Sequence, residues 1–169
     1  MKALVVVDYQ NDHVTGTMGG KFIPMIEGNI CKRIEDTLKM RGDVYFVMDS
    51  FGDSMSETFD GKRIPSKYCV RGTPGVELYG KVGEYISKGF IIRKSAPASD
   101  ELLKKLRLYD EIELCGVETN VDILANAVVA RTANPSALVI VRQNCVASRN
   151  SELAEQAIDI MAGLGVEIL

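Results

Sequence analysis

The sequence contains no tryptophan and only one histidine, His13. A single imidazole excludes any mechanism that needs two, and it excludes a zinc site built on a histidine pair. The four cysteines, Cys31, Cys69, Cys115 and Cys145, stand far apart with no C-x-x-C spacing. A chain of 169 residues can bury a core of its own, so a disulfide scaffold is not expected. Cys31 lies in a helical pattern and Cys115 in an apolar run, where free thiols act as small hydrophobes. Cys69 and Cys145 fall in loop-like or strand-end contexts and are the candidates for exposure. No apolar run is long enough to span a bilayer, and the N-terminus has no basic-then-apolar leader pattern. The cytoplasm is therefore the expected compartment, with no membrane partner. A dominant charge sign is missing too: 20 Lys and Arg against 23 Asp and Glu leave a net charge of -3. That gives no electrostatic case for a nucleic-acid partner, and runs such as Lys104-Lys105-Leu106-Arg107 read as solvated faces.

What the sequence does have is alternation. Short apolar runs at Ala3–Val7, Val44–Met48, Phe90–Arg93, Glu111–Cys115, Ala137–Val141 and Val166–Leu169 read as strands. Between them fall helical patterns at Ile26–Met40, Asp100–Leu106, Asn120–Thr132 and Ser151–Ala162, and a short one at Val76–Tyr79 that extends towards Ile86. The pattern predicts a three-layer α/β/α sandwich on a six-stranded parallel sheet, formed by residues 1–169 as one domain. Residues 49–75 are poor in apolar positions and rich in Gly, Ser, Asp and Pro, and long irregular excursions of this kind are usually functional.

In such sheets, functional groups gather beyond the carboxyl ends of the strands. Those ends read Asp8-Tyr9-Gln10-Asn11-Asp12, Asp49-Ser50, Arg93-Lys94-Ser95, Gly116-Val117-Glu118-Thr119 and Arg142-Gln143-Asn144. Asp8, Asp49 and Lys94 together would perturb one another's ionisation if they met. No glycine-rich dinucleotide or phosphate loop follows the first strand. A phosphoryl-aspartate receiver would share the carboxylates and the lysine, but the excursion at 49–75 has no place in one.

Four segments carry a closer match: Val5-Val6-Val7-Asp8-Tyr9-Gln10-Asn11-Asp12, Arg71-Gly72-Thr73-Pro74-Gly75-Val76-Glu77-Leu78, Lys94 after its strand, and Gly116-Val117-Glu118-Thr119. In these the chain resembles the isochorismatase-like cysteine hydrolases, the superfamily of nicotinamidases and N-carbamoylsarcosine amidases. The resemblance implies a general base at Asp8, a supporting lysine at Lys94, a cis peptide at Val117–Glu118, and pocket residues at His13, Val117, Glu118 and Thr119. It also implies a small-molecule partner and a homo-oligomer, a dimer or a tetramer, with the apolar helix Asn120–Thr132 in the core and at a subunit interface.

Two departures stand out. The nucleophilic cysteine expected three residues after Thr119 is replaced by Asp122. The metal positions of nicotinamidase-like members are eroded: Phe51 and Tyr68 stand where histidines are expected, which leaves Asp49 and Glu57 as vestigial ligands. No metal and no other cofactor is expected. Asp122 itself admits two readings. Thr119-Asn120-Val121-Asp122 has capping-box spacing, which suits a non-catalytic or diverged relative that keeps its pocket. Alternatively, Asp8 and Asp122 face each other across Lys94 as an acid/base set that hydrolyses a small amide, ester or enol ether without a covalent thioester.

Overall fold

The computed structural model describes residues 1–64 and 66–169, apart from the side chains of residues 53, 54, 59 and 60. Six parallel strands form one sheet in the order β3-β2-β1-β4-β5-β6. They are β1 (Lys2–Val7), β2 (Asp43–Asp49), β3 (Phe90–Lys94), β4 (Glu111–Val117), β5 (Leu138–Ala147) and β6 (Glu167–Ile168). Alternate residues of β1 feed two separate cores, as strand geometry requires. Ala3, Val5 and Val7 pack with Leu102, Leu106, Ile123, Ala127 and Met161 on one face. Leu4 and Val6 pack with Ile30, Ile34, Phe46 and Val82 on the other.

The helices are α1 (Asn11–Val14), α2 (Glu27–Lys39), α3 (Phe59–Arg63), α4 (Asp100–Leu106), α5 (Leu124–Ala133) and α6 (Ser151–Gly163). α2 buries Ile30 and Ile34 of the apolar stripe in its sequence, together with Thr37, against one face of the sheet, with Leu38 partly buried. α4, α5 and α6 cover the other face. Side-chain caps start two of these helices: Ser99 accepts from the Leu102 amide and Asn150 from the Leu153 amide. The expected three-layer sandwich is the observed one.

Several boundaries differ from the sequence reading. β5 runs past Val141 to Ala147, because a register shift opposite Leu114–Gly116 lets Val146 and Ala147 pair with Gly116 and Val117. Arg142-Gln143-Asn144 therefore lies within a strand and not at its end. β6 shrinks to two residues, since only Ile140 and Val141 pair with it. The pattern at 76–86 forms 3-10 turns at Pro74–Val76 and Gly80–Lys88 in place of an α-helix. Cys69 and Cys145 are buried and Cys31 is the partly exposed thiol, the reverse of the expected order. The excursion after β2 folds back to bury Phe51, Met55, Tyr68 and Cys69 in a small satellite cluster with Met18. Among the described residues no helix is long and apolar enough to cross a membrane.

At the last pair of the β1–β4 ladder, Gly116 adopts a φ of +114° and lies so close to β1 that a Cβ would stand 2.0 Å from the Val7 carbonyl oxygen. Gly116→Ala is expected to destabilise the protein by at least about 3 kcal/mol, through a backbone clash combined with a disfavoured φ. Urea unfolding of the variant checks this.

Candidate functional site

The site begins where the apolar run of β1 stops. Asp8 turns into the left-handed region with a φ of +48°, uncommon for a residue with a side chain. Its own amide still donates to the Val47 carbonyl, at 2.8 Å, so the turn stays locked to β2. Asp8 Oδ1 accepts the Asp49 amide at 2.8 Å, and Gln10 clamps the same residue: Oε1 accepts that amide at 2.9 Å while Nε2 donates to the Asp49 carbonyl at 2.8 Å. Asp49 in turn pairs with Lys94 in the sheet register, which brings the ends of β1, β2 and β3 together.

The Lys94 ammonium is the centre of this arrangement. Its Nζ lies 2.6 Å from Asp8 Oδ2, 2.7 Å from Asp49 Oδ1 and 3.1 Å from Asp122 Oδ1, all of them buried. His13 completes the set with Nε2 3.0 Å from Asp49 Oδ2. Burial pushes the Asp8 pKa well above its ordinary value, reinforced by Asp49 and Asp122 and opposed by Lys94. Asp49 goes the other way: burial opposes its charge, but Lys94 and the His13 hydrogen bond outweigh it and hold the pKa low. Burial also disfavours the charged forms of Lys94 and His13. The carboxylates around Lys94, and Asp49 with the neighbouring Cys69 beside His13, outweigh it and raise both pKa values. Asp8 and Asp49 are thus two adjacent carboxyl groups driven apart.

Asp122 arrives from the opposite side of the switch point. After β4 the Val117–Glu118 peptide is cis, as the resemblance implies. Residues Thr119–Ile123 then make a wide π-type turn before α5. This turn corrects the capping-box expectation: Thr119 Oγ1 has no hydrogen-bond partner among the described residues, and the Asp122 carboxylate points to Lys94. Asn126 secures the turn by donating to the Asp122 and Pro97 carbonyls at 2.8 and 3.0 Å.

A cleft of about 420 Å³ opens over the cluster. His13, Asp49 and Asp122 line it below, with Glu118, Arg63 and Arg149 among its other polar residues and Met18, Phe51, Tyr68, Pro97 and Val121 among the apolar ones. Asp8 and Lys94 are not among its lining residues. Of the expected pocket residues, His13 and Glu118 line the cleft. Val117 is buried in the core, and Thr119 borders a separate groove with Phe22 and Met25. Glu57 is exposed and belongs to neither the cluster nor the cleft. Sequence reasoning missed Arg149, whose Nε and backbone amide reach Glu118 at 2.9 and 3.1 Å. Nothing in its local sequence marked it, because it meets Glu118 only through the fold.

A model of the isochorismatase domain matches residues 2–169. The chain belongs to the isochorismatase family. The pyrazinamidase/nicotinamidase of Streptococcus mutans shares its fold, with a TM-score of 0.89 at 23% identity over 100% of both chains. A nicotinamidase of Bacillus subtilis aligns with a TM-score of 0.86 at 26% identity, covering 99% of this chain and 98% of that one. The N-carbamoylsarcosine amidase of Thermoplasma acidophilum gives 0.78 at 20%, covering 99% and 94%. No curated protein matches the sequence.

For this isochorismatase-family chain, the fit of a divalent ion can be judged from the donors. Asp8, His13 and Asp49 place ligand-capable atoms within 4.8 Å of one another. Both carboxylates, however, are engaged by the Lys94 ammonium, which a divalent ion would have to displace or approach against repulsion. Phe51 and Tyr68 pack edge to face, 5.0 Å between ring centres, and Tyr68 meets His13 the same way at 5.4 Å. An aromatic cluster beside a lysine-bound carboxylate pair does not fit a hard or borderline cation.

Two outcomes follow. Lys94→Met strands three carboxylates and is expected to cost about 3–5 kcal/mol at neutral pH, with the deficit shrinking in acid as they take up protons. Urea titrations at both pH values test this. His13 has a folded-state pKa above its ordinary 6.5, so its contribution is complete below that value and fades as pH rises through the folded pKa. The stability gap between wild type and His13→Gln should therefore narrow on the alkaline side in thermal melts across that range.

Proposed function

We propose that this protein is a diverged member of its family that binds a small molecule in the cleft and performs no thioester chemistry. The observation that carries the reading is the occupant of the cleft floor. Asp122, paired with Lys94 at 3.1 Å, stands where the resemblance places a cysteine, and among the described residues no thiol lines the cleft. A carboxylate is a weak nucleophile towards an amide, and this one is already held by an ammonium. Asp8 is fully buried and meets Asp122 only through Lys94, so a base at that position has no direct path to a ligand. Self-association belongs to the same proposal, supported by the exposed apolar side chains Phe22, Met25 and Val121.

A second reading has one observation in its favour. The pKa values of Asp8 and Asp49 are pushed in opposite directions, a pattern that serves acid/base chemistry. Turnover of a small amide, ester or enol ether that disappears in Asp8→Asn would establish this hydrolytic reading. On the binding reading, the purified protein releases no ammonia from nicotinamide. Asp122→Cys is expected to raise that rate at least about a hundredfold above background, since a thiol is then supplied beside an intact lysine and aspartate. A coupled ammonia assay on both proteins tests the binding reading, and Asp8→Asn tests the hydrolytic one.

A further inference from the structure

We propose that the cleft selects a small zwitterion, with a protonated amine at the Asp122 floor and a carboxylate at the Arg149 rim. The inference rests on the reading of the cleft as a binding pocket and goes on to name the class of ligand.

The floor offers one open acceptor. Both oxygens of Asp49 are engaged, one by Lys94 and the other by His13. Asp122 gives only Oδ1 to Lys94. Its Oδ2 accepts no hydrogen bond among the described residues and is not sealed from solvent, and the residue lines the cleft. A carboxylate oxygen in that position accepts a hydrogen bond and attracts a positive nitrogen; it repels a ligand carboxylate.

The rim carries the opposite character. Glu118 holds the Nε side of the Arg149 guanidinium at 2.9 Å and is itself fixed by the Arg149 amide. The Nη side is left over: Nη1 has one weak contact, 3.8 Å from Met18 Sδ, and Nη2 makes no hydrogen bond among the described residues. A guanidinium pinned on one edge presents the other as a ready fork for a carboxylate, at a reduced ordering cost. Phe51, Pro97 and Tyr68 add apolar lining to the same cleft, which limits screening of both charges. A neutral amide satisfies the floor alone and a simple carboxylate the rim alone. A zwitterion meets both and adds no net charge to a cluster that already balances acids against bases.

The probes are ω-amino acids of increasing length, from glycine and β-alanine through γ-aminobutyrate to ε-aminocaproate, with butyrate, butylamine and nicotinamide as controls. Isothermal titration is expected to show that one chain length binds at least about tenfold more tightly than every control. Asp122→Asn and Arg149→Gln should each weaken that probe by about tenfold. Arg149→Lys should recover only part of the loss, since it restores the charge without the fork. Arg149 is 43% exposed, so its variants remain informative if Asp122→Asn folds poorly. Equal binding across the set, no binding by any probe, or affinity indifferent to Arg149 overturns the proposal. Nicotinamide hydrolysis by the unmodified protein would instead overturn the binding reading beneath it, so the two failures are distinguishable.

Discussion

The ammonium of Lys94 is the contact on which the rest of the site depends. Three carboxylates, from the ends of β1 and β2 and from the turn after β4, converge within 3.1 Å of it, all of them buried. Without a cation there, like charges at such spacing repel strongly and desolvation adds several kcal/mol per ion. The surroundings show how the fold manages the excess acid. Asp8 is pushed towards its neutral form, and His13 is drawn towards its charged form beside Asp49. Both shifts move the cluster towards neutrality, so the five groups form one electrostatic unit.

That unit exists because the sheet register makes it. Asp49 and Lys94 are direct neighbours across β2 and β3, and Asp8 follows Val7, the residue beside Val47 on β2. Asp8 sits one residue past β1 and His13 comes from α1, while Asp122 is delivered by a wide turn that Asn126 holds in place. The excursion after β2 adds a different element. Tyr68 packs against His13 and Phe51 against Tyr68, which places apolar surface beside the cluster where the resemblance led one to expect imidazole ligands. The same substitutions that spoil a metal site also give the cleft a dry wall, and a dry wall strengthens the charges beside it.

Family membership and cleft chemistry therefore carry different information. The first describes a sheet and its topology, a fold that this chain shares with amidases. The second depends on Asp122, Glu118 and Arg149. These polarise the cleft from an acceptor floor to a donor rim, and they govern which ligand fits.

Much was legible in the residues alone. Apolar runs of fixed period specify a parallel sheet, because only strands covered on both faces can be apolar throughout, and Asp8, Asp49 and Lys94 could be placed at its rim by counting, with Asp122 added by the resemblance. What counting could not supply were contacts between residues distant in sequence. His13 read as a pocket side chain and proved to be the partner of Asp49. Asp122 admitted two readings, a capping box or a partner of Asp8 across Lys94, and only the packed fold shows its carboxylate bonded to Lys94. Glu57 stayed on the surface, and Arg149 carried no local signal. The reason is physical: periodicity is a local property, imposed by backbone geometry on neighbouring residues. The partner of a buried charge is set by strand register, a bulge in β5 and the path of a turn, and those are decided only when the whole chain has packed.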